Sequence, residues 1–391
     1  MAEQDKLKKV LIVSNHYPGL KSGGSFVSLA YINAFARLYK NCSLIYPERL
    51  SGSSDDIDKG VLKIPVRDKR HPVIKGLRAY TGKIHRFRKT LIDYLSANHT
   101  DILVFDTSIV AAGTIRAVAG RNIYIITIHH NVERDYLAAN PPNILYRVPY
   151  LFYARKAEEE AIRYSNLNLV LTSEDETRFG ELFPGSGTGH IKETGVFKHL
   201  PPAKIRAADK NKIPDPASPC FVITGNLAFR QSDISIRHFI AYYWPLLKSV
   251  LPGATLLVTG AKPGKKLTRA CLKRPDIKLY PNPERIDDIV GNCDYYISPV
   301  FSGSGFKLRA MDGLSCGLPV LSHTVSARGY SELINSGCMF TYNSGSSFVD
   351  ALDKMLKTAM PAEDIIKACH NGFSFETGVE RLEAGIKDLI A

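Results

Sequence analysis

Apolar runs of four to six residues recur along the chain, flat in hydrophobicity rather than alternating, and longer stretches of helical spacing separate them. Runs 10–14, 43–46, 102–105, 123–128 and 167–171 predict strands buried on both faces, as strands of parallel sheets are. Stretches 25–39, 83–97 and 149–164 predict the helices between them. Such alternation is the mark of a parallel α/β domain. Residues 200–219 break the rhythm: five prolines among polar residues predict a linker. A second series follows, with strands at 220–224, 255–259, 277–280, 295–300 and 319–322 and a long helix at 233–250. A last helix is expected from Phe375 after a break at Asn371-Gly372. The expected organisation is therefore an N-terminal α/β domain over 1–199, a linker over 200–219, a second α/β domain over 220–374 and a terminal helix over 375–391. Ligands of doubly wound sheets bind at the carboxyl ends of the strands, and a cleft between two such domains is the natural site.

The most informative stretch is 302–320. A strand ending near Val300 runs into the turn Ser302-Gly303-Ser304-Gly305, and a helix carrying Lys307, Arg309 and Asp312 is expected next. Gly317 and Pro319 end that helix and open another apolar run. Strand, glycine loop and helix start form an anion site, because free backbone N–H groups and the helix dipole both favour negative charge. Two cations suit a diphosphate, and an acid farther along suits the hydroxyls of a ribose. Other polar groups gather at the ends of other strands. Gly23 and Gly24 stand at the start of the first helix, where they let backbone approach a ligand closely. His129, His130, Asn131 and Glu133 close the fourth run. Gly225, Asn226 and Arg230 follow the first strand of the second series, and a guanidinium there suits bidentate contact to phosphate. Thr172 and Ser173 are placed to cap a helix whose first turn is acidic, a structural role that needs no chemistry.

The pattern Gly303-x-Gly305-x-Lys307-x-Arg309-x-x-Asp312, closed by Gly317-x-Pro319-Val320, resembles the donor signature of retaining GT-B glycosyltransferases of the glycogen-synthase- and sucrose-synthase-like group. His130-Asn131-x-Glu133 and the paired Gly23-Gly24 are similar to segments of the same family. The resemblance implies a GT-B fold, two doubly wound parallel-sheet domains facing across a cleft, with the terminal helix crossing back to the first. It implies a nucleoside-diphosphate sugar as donor substrate, with no cofactor and no metal. Lys307 and Arg309 are implied to meet the diphosphate, Asp312 the ribose, Gly23 and Gly24 the donor phosphates, and His130 the donor sugar, with Asn131 and Glu133 beside it and His129 as the competing candidate. Gly225, Asn226 and Arg230 are implied to lie near the nucleotide. Many members carry glutamate at the positions of Ser304 and Asp312, so this chain departs from the pattern where the transferred sugar and the ribose are read. The implied chemistry is sugar transfer with retention to a glycan or lipid-linked acceptor. A sugar-nucleotide epimerase of the same architecture, and a catalytically silent nucleotide-sugar-binding partner, stay open beside it.

Composition narrows the setting. The chain has 391 residues, 45% of them hydrophobic, enough for two ordinary cores. Its seven cysteines are scattered, without a Cys-x-x-Cys or Cys/His cluster, which argues against zinc and a disulfide framework. The charged N-terminus leads directly into a strand, and no uncharged run reaches the roughly 20 residues of a spanning helix. A cytoplasmic protein is expected. The net charge of +13 calls for anionic partners. Residues 67–89 hold nine Lys/Arg and a single acid, interleaved with apolar residues. That composition suits the anionic inner face of a membrane as well as it suits a solvated loop. No nucleic-acid-binding motif accompanies the charge, and nucleic acid is not an expected partner.

Overall fold

A computed structural model of the chain describes residues 5–16, 23–48, 56–67, 87–139, 144–185, 191–200, 217–303, 305–358 and 360–390. It divides into two compact units. The first comprises Met1–His199, Ser304–Phe306 and Phe375–Ala391; the second comprises Leu200–Gly303 and Lys307–Ser374. The basic segment singled out above lies largely outside the described residues, as do most of the proline-rich stretch and Ser304.

The first unit is built on a seven-stranded parallel sheet. Its strands are β1 (Lys9–Ser14), β2 (Asn41–Pro47), β3 (Leu62–Val66), β4 (Ile102–Asp106), β5 (Tyr124–His129), β6 (Leu167–Val170) and β7 (Ile191–Glu193). They run in the order β3-β2-β1-β4-β5-β6-β7. Helix α1 (Gly23–Leu38) follows β1, and α2 (Arg88–Ala97) precedes β4. Helices α3 (Glu133–Ala139) and α4 (Ile144–Tyr164) follow β5, and α5 (Ser173–Leu182) follows β6. Leu11, Val13, Leu103 and Phe105 of the central strands pack with Leu91, Leu95, Val110 and Ile115 in one core. Thr172 caps α5, its Oγ1 accepting the Asp175 N–H at 3.1 Å.

The second unit repeats the plan with six parallel strands. These are β8 (Cys220–Asn226), β9 (Thr255–Ala261), β10 (Ile277–Pro281), β11 (Tyr295–Ser298), β12 (Val320–His323) and β13 (Met339–Tyr342), in the order β10-β9-β8-β11-β12-β13. Its core gathers Phe221, Ile223, Phe239, Trp244, Leu247, Val258 and Phe348. In each sheet the order reverses once, between β1 and β4 and between β8 and β11. A doubly wound sheet opens a crevice for ligand at such a reversal, beyond the carboxyl ends of the strands.

Four expectations need correction. Strands β3, β7 and β13 were not foreseen: β3 is an edge strand, partly exposed and interrupted by Pro65, and β7 has only three residues. The helix expected over 233–250 is three pieces: α6 (Arg230–His238), a π-helical turn at Phe239–Tyr243 and α7 (Trp244–Val250). Pro245 in the first turn of α7 has no N–H to give, and the wider turn before it absorbs that loss. The break expected at Asn371-Gly372 falls later. Helix α9 (Ala362–Phe373) runs through both residues and stops at Ser374, whose extended backbone starts α10 (Phe375–Ile390) afresh. Lys307 and Arg309 do not ride on a helix, because α8 is short and begins at Ala310 (Ala310–Ser315). All seven cysteines are free thiols.

Candidate functional sites at the two sheet reversals

At the β1/β4 reversal the parallel register sets Ser14 beside Asp106. Both are buried, and the Ser14 hydroxyl donates to Asp106 Oδ2 at 2.5 Å. His130, one residue past β5, brings its Nε2 to Asp106 Oδ1 at 2.7 Å. His16, two residues past β1, sits with its Nδ1 3.7 Å from Asp106 Oδ2 and 2.9 Å from the Ser28 hydroxyl on α1. The two imidazoles stack almost parallel, 5.1 Å between centroids. One buried carboxylate thus holds two histidines face to face.

The electrostatics follow from that geometry. Burial pushes the Asp106 carboxyl up, but the charges and hydrogen bonds of His130 and His16 outweigh it and hold the group well below the usual carboxylate range. Burial pulls His16 down, but the hydrogen bond and charge of Asp106, with the charge of Glu133, raise it above an ordinary histidine. Glu133, the first residue of α3, is pushed up to about 7 by burial and by the charge of Glu158, against a hydrogen bond from Asn131. Its proton is therefore mobile near neutral pH. Among the described residues, His16, Asp106 and His130 also form a trio able to offer ligand atoms to one ion, all within 4.8 Å of one another. Asp106 already accepts from Ser14 and engages His130 at hydrogen-bond distance, so an ion would have to replace those bonds.

His129 and His130 are now separable. His129 is 1% exposed, its Nε2 meets Asn168 Oδ1 at 2.9 Å, and its ring packs on Phe179 at 4.6 Å. Burial holds its pKa down at about 4, so it is a neutral core residue. His130 faces Asp106 and His16 instead. Gly24 has a plain reason to be glycine: a Cβ there would lie 2.7 Å from His16 Nε2. Gly23 is the exposed first residue of the same helix.

At the β8/β11 reversal, Arg309 lies across the end of β8. Its Nη2 donates to the Ser232 hydroxyl on α6 at 2.8 Å. A Cβ on Gly225 would meet Arg309 Cζ at 2.5 Å, so only glycine lets the guanidinium cross here. Burial draws the Arg309 pKa below the ordinary value. Its Nη1 is buried and has no hydrogen-bond partner among the described residues. Asp312, on α8, accepts from the Thr224 hydroxyl at 3.1 Å, and that hydroxyl also meets Tyr296 OH at 2.7 Å. The turn before α8 is fixed from beneath, since buried Tyr330 donates its hydroxyl to the Lys307 carbonyl at 2.9 Å. Gly303 and Gly305 both take positive φ, and Gln231 donates its amide to the Ser302 carbonyl. Asn226 is exposed and accepts the Ala228 N–H at 3.2 Å, and Arg230 is exposed at the start of α6.

The residues singled out by sequence therefore fall into two sets. Gly23, Gly24, His130, Asn131 and Glu133 stand around the first reversal, with Gly305, which belongs to the same unit and where a Cβ would run into the Asn131 side chain; Gly225, Asn226, Arg230, Gly303, Lys307, Arg309 and Asp312 stand around the second. Sequence reasoning missed Ser14, His16, Ser28 and Asp106 in the first set, and Thr224 and Ser232 in the second. One signal was available: Asp106 ends an apolar run at the carboxyl end of a strand, where ligands bind. Thr107, next to it, has φ +98°, a strained conformation for a β-branched residue and a frequent companion of functional sites.

Residues 218–358 match the family described as glycosyl transferases group 1, a span that takes in all six strands of the second sheet. Solved structures similar over nearly the whole chain include three informative cases. The Anabaena protein HepE, in complex with UDP and glucose, is 13% identical with a TM-score of 0.65, covering 98% of this chain and 100% of that one. The lipopolysaccharide outer core galactosyltransferase WaaB is 12% identical with a TM-score of 0.65, over 97% and 99%. The sucrose-phosphate synthase of Thermosynechococcus elongatus is 12% identical with a TM-score of 0.70, over 98% and 99%. No curated protein matches the chain in sequence. The fold is α/β, of the GT-B kind these neighbours share.

Proposed function

We propose that this protein transfers a sugar from a nucleoside-diphosphate sugar to a glycan or lipid-linked acceptor, with retention and without a metal. The observation that carries the reading is Arg309, whose Nη1 is shut away from water with no acceptor while its Nη2 is tied to Ser232. A buried N–H without an acceptor is costly, about 1–3 kcal/mol, unless a ligand supplies one. A diphosphate oxygen at the β8/β11 reversal does so, and the surrounding span is the one that matches glycosyl transferases group 1. The structural neighbour HepE is described with UDP and with UDP-glucose, and WaaB as a galactosyltransferase, which supports a uridine donor as the first to test.

The chain's own groups then divide the work. Lys307 and Arg309 oppose the charge that grows on the departing diphosphate, the electrostatic stabilisation such a leaving group needs. Asp312 orients toward the ribose. Asp106 fixes the His130 ring, which positions sugar and acceptor rather than abstracting the acceptor proton. Glu133, titrating near neutrality, is placed to hold an acceptor hydroxyl or its proton.

The test is calorimetric titration of UDP, GDP and ADP, followed by a donor-hydrolysis assay with UDP-glucose. Binding of one diphosphate, with slow hydrolysis that an added acceptor diverts into transfer, supports the reading. Donor interconverted without acceptor would assign an epimerase instead. Affinity without turnover across acceptors would assign a binding protein.

A further inference from the structure

The first unit also holds a basic pocket whose lining residues lie outside both groups described at the sheet reversals. A cavity of about 570 Å³ is lined by Arg134, Arg155, Glu159, Arg163, Leu182, Phe183, Pro184 and Gly185. That volume lies in the range of small-molecule pockets, roughly 300–1,000 Å³. Nothing in the donor or acceptor reading uses these residues.

Three guanidiniums meet there. Arg155, Glu159 and Arg163 recur every fourth residue along α4 and so share one face of it. The two arginines span about 12 Å of helix axis at 1.5 Å per residue. Both are exposed, and neither forms an ion pair within 4.0 Å among the described residues. Arg134, on α3, is held differently. Its Nε donates to the buried Glu158 at 2.6 Å, and its guanidinium lies over the Phe183 ring at 4.9 Å. Its Nη2 is buried without a hydrogen-bond partner among the described residues. Glu158 and Glu159 offset part of the charge, and a positive surplus remains. One wall is apolar and aromatic, from Leu182, Phe183 and Pro184.

We infer that this cavity binds a small phosphate monoester. Planar guanidinium forks match phosphate oxygens in pairs, where a lysine would offer only a point charge. Arg155 and Arg163 take the phosphate, Arg134 completes the cradle from α3, and the organic part rests against Phe183 and Pro184. The site joins α3 to α4 through the Arg134–Glu158 pair, one residue from Glu133. It stands independently of the donor reading, since every lining residue belongs to the first unit.

The same phosphate chemistry can arrive on a soluble metabolite or on a lipid headgroup, and the experiment separates the two. Glucose 6-phosphate, glycerol 3-phosphate and inorganic phosphate are titrated calorimetrically into the full chain. Vesicles of phosphatidylcholine with phosphatidic acid are tested by co-sedimentation. The Arg155→Glu/Arg163→Glu variant changes two exposed residues and should fold. Arg309→Ala removes the proposed diphosphate anchor and serves as the internal control. The expected result is binding of a soluble ester by the wild type and by Arg309→Ala alike, weakened at least tenfold in the double variant. Binding confined to the vesicles and abolished by the double variant assigns the site to a lipid phosphate. No binding of any probe by the wild type overturns the inference. So does binding that survives the double charge reversal, and so does binding lost in Arg309→Ala, which would place the phosphate at the donor site.

Discussion

At the residue scale the proposed chemistry rests on Arg309, His130 and Glu133. Arg309→Met keeps the length of the side chain and removes the buried charge together with its unpartnered N–H. The free protein should unfold at the same temperature or higher, because an unsatisfied buried donor has gone. Nucleoside diphosphate affinity should fall about 10- to 100-fold, the loss of one charge-assisted hydrogen bond. Calorimetry beside a thermal melt reads both, and an unchanged Kd would remove Arg309 from the site. The histidines should part ways as well. His129→Ala opens the core beside Phe179 and should lower the melting midpoint while sparing activity per folded molecule. His130→Ala should cut turnover per folded molecule about 10²-fold, the scale of a misplaced reactant. Glu133 adds a dependence on pH. Its folded pKa, about 7, is raised above the ordinary 4.5, so the unfolded chain holds fewer protons than the native one between those values. Stability should therefore decline as pH rises from about 4.5 to 7 and level off above. Glu133→Gln should flatten that slope, and at pH 8 it should be more stable than the wild type by an amount on the order of 1–3 kcal/mol. Denaturant titrations at pH 5 and pH 8 measure the difference; equal slopes in both proteins would show that Glu133 ionises normally.

At the scale of elements, the legible parts were those whose burial is symmetric. Strands β1, β4, β8 and β12 are covered on both faces, and the resulting flat apolar runs mark them in sequence. The edge strand β3 is half exposed and carries Lys63 and Pro65, so its run reads as a loop. The broken helix after β8 was read as continuous because apolar spacing does not reveal whether a turn is α or π. Yet that break sets Trp244, which is 0% exposed and donates its indole N–H to Asp276 at 2.9 Å. Trp244→Ala should cost about 3–5 kcal/mol through the cavity it leaves, and Trp244→Phe less than that, with Asp276 then lacking its partner. A loss under 1 kcal/mol for the alanine variant, measured by denaturant unfolding, would show that the π turn lets the core close over the gap. The loop at 302–309 was legible as a glycine turn with two cations. The position of its helix was not, because the turn from Lys307 to Arg309 is held by Tyr330, far along the chain, and no local spacing reports that bond.

At the scale of the whole molecule, two winding reversals make the sites, and that is where sequence alone stops. Asp106 meets Ser14 and His16 only because β4 pairs with β1 rather than with β3, the strand before it in the chain. The motifs supplied about half of the first site and most of the second, and the pairing supplied the rest. Charge is the other molecular property, and it yields the remaining prediction. The surplus of +13 is uneven, with nine cations against one acid in 67–89. Most of that segment lies outside the described residues. At its described end Lys89 pairs with Asp93 at 2.6 Å and is thereby partly spent. The other eight cations of the segment run from Arg67 to Arg88. Each contributes about 1 kcal/mol near an anionic membrane, and the attraction dies within a Debye length of about 10 Å at 0.1 M salt and about 3 Å at 1 M. The protein should co-sediment with phosphatidylserine vesicles at low salt and come off as salt rises. Replacing Lys69, Arg70 and Lys75 by Glu should release it even at low salt, while donor hydrolysis continues. The exposed Lys265, Lys266 and Lys273 of the second unit are the control. If reversing them releases the protein equally, bulk charge rather than the segment holds it to the surface. If the wild type ignores the vesicles altogether, the acceptor is to be sought in solution.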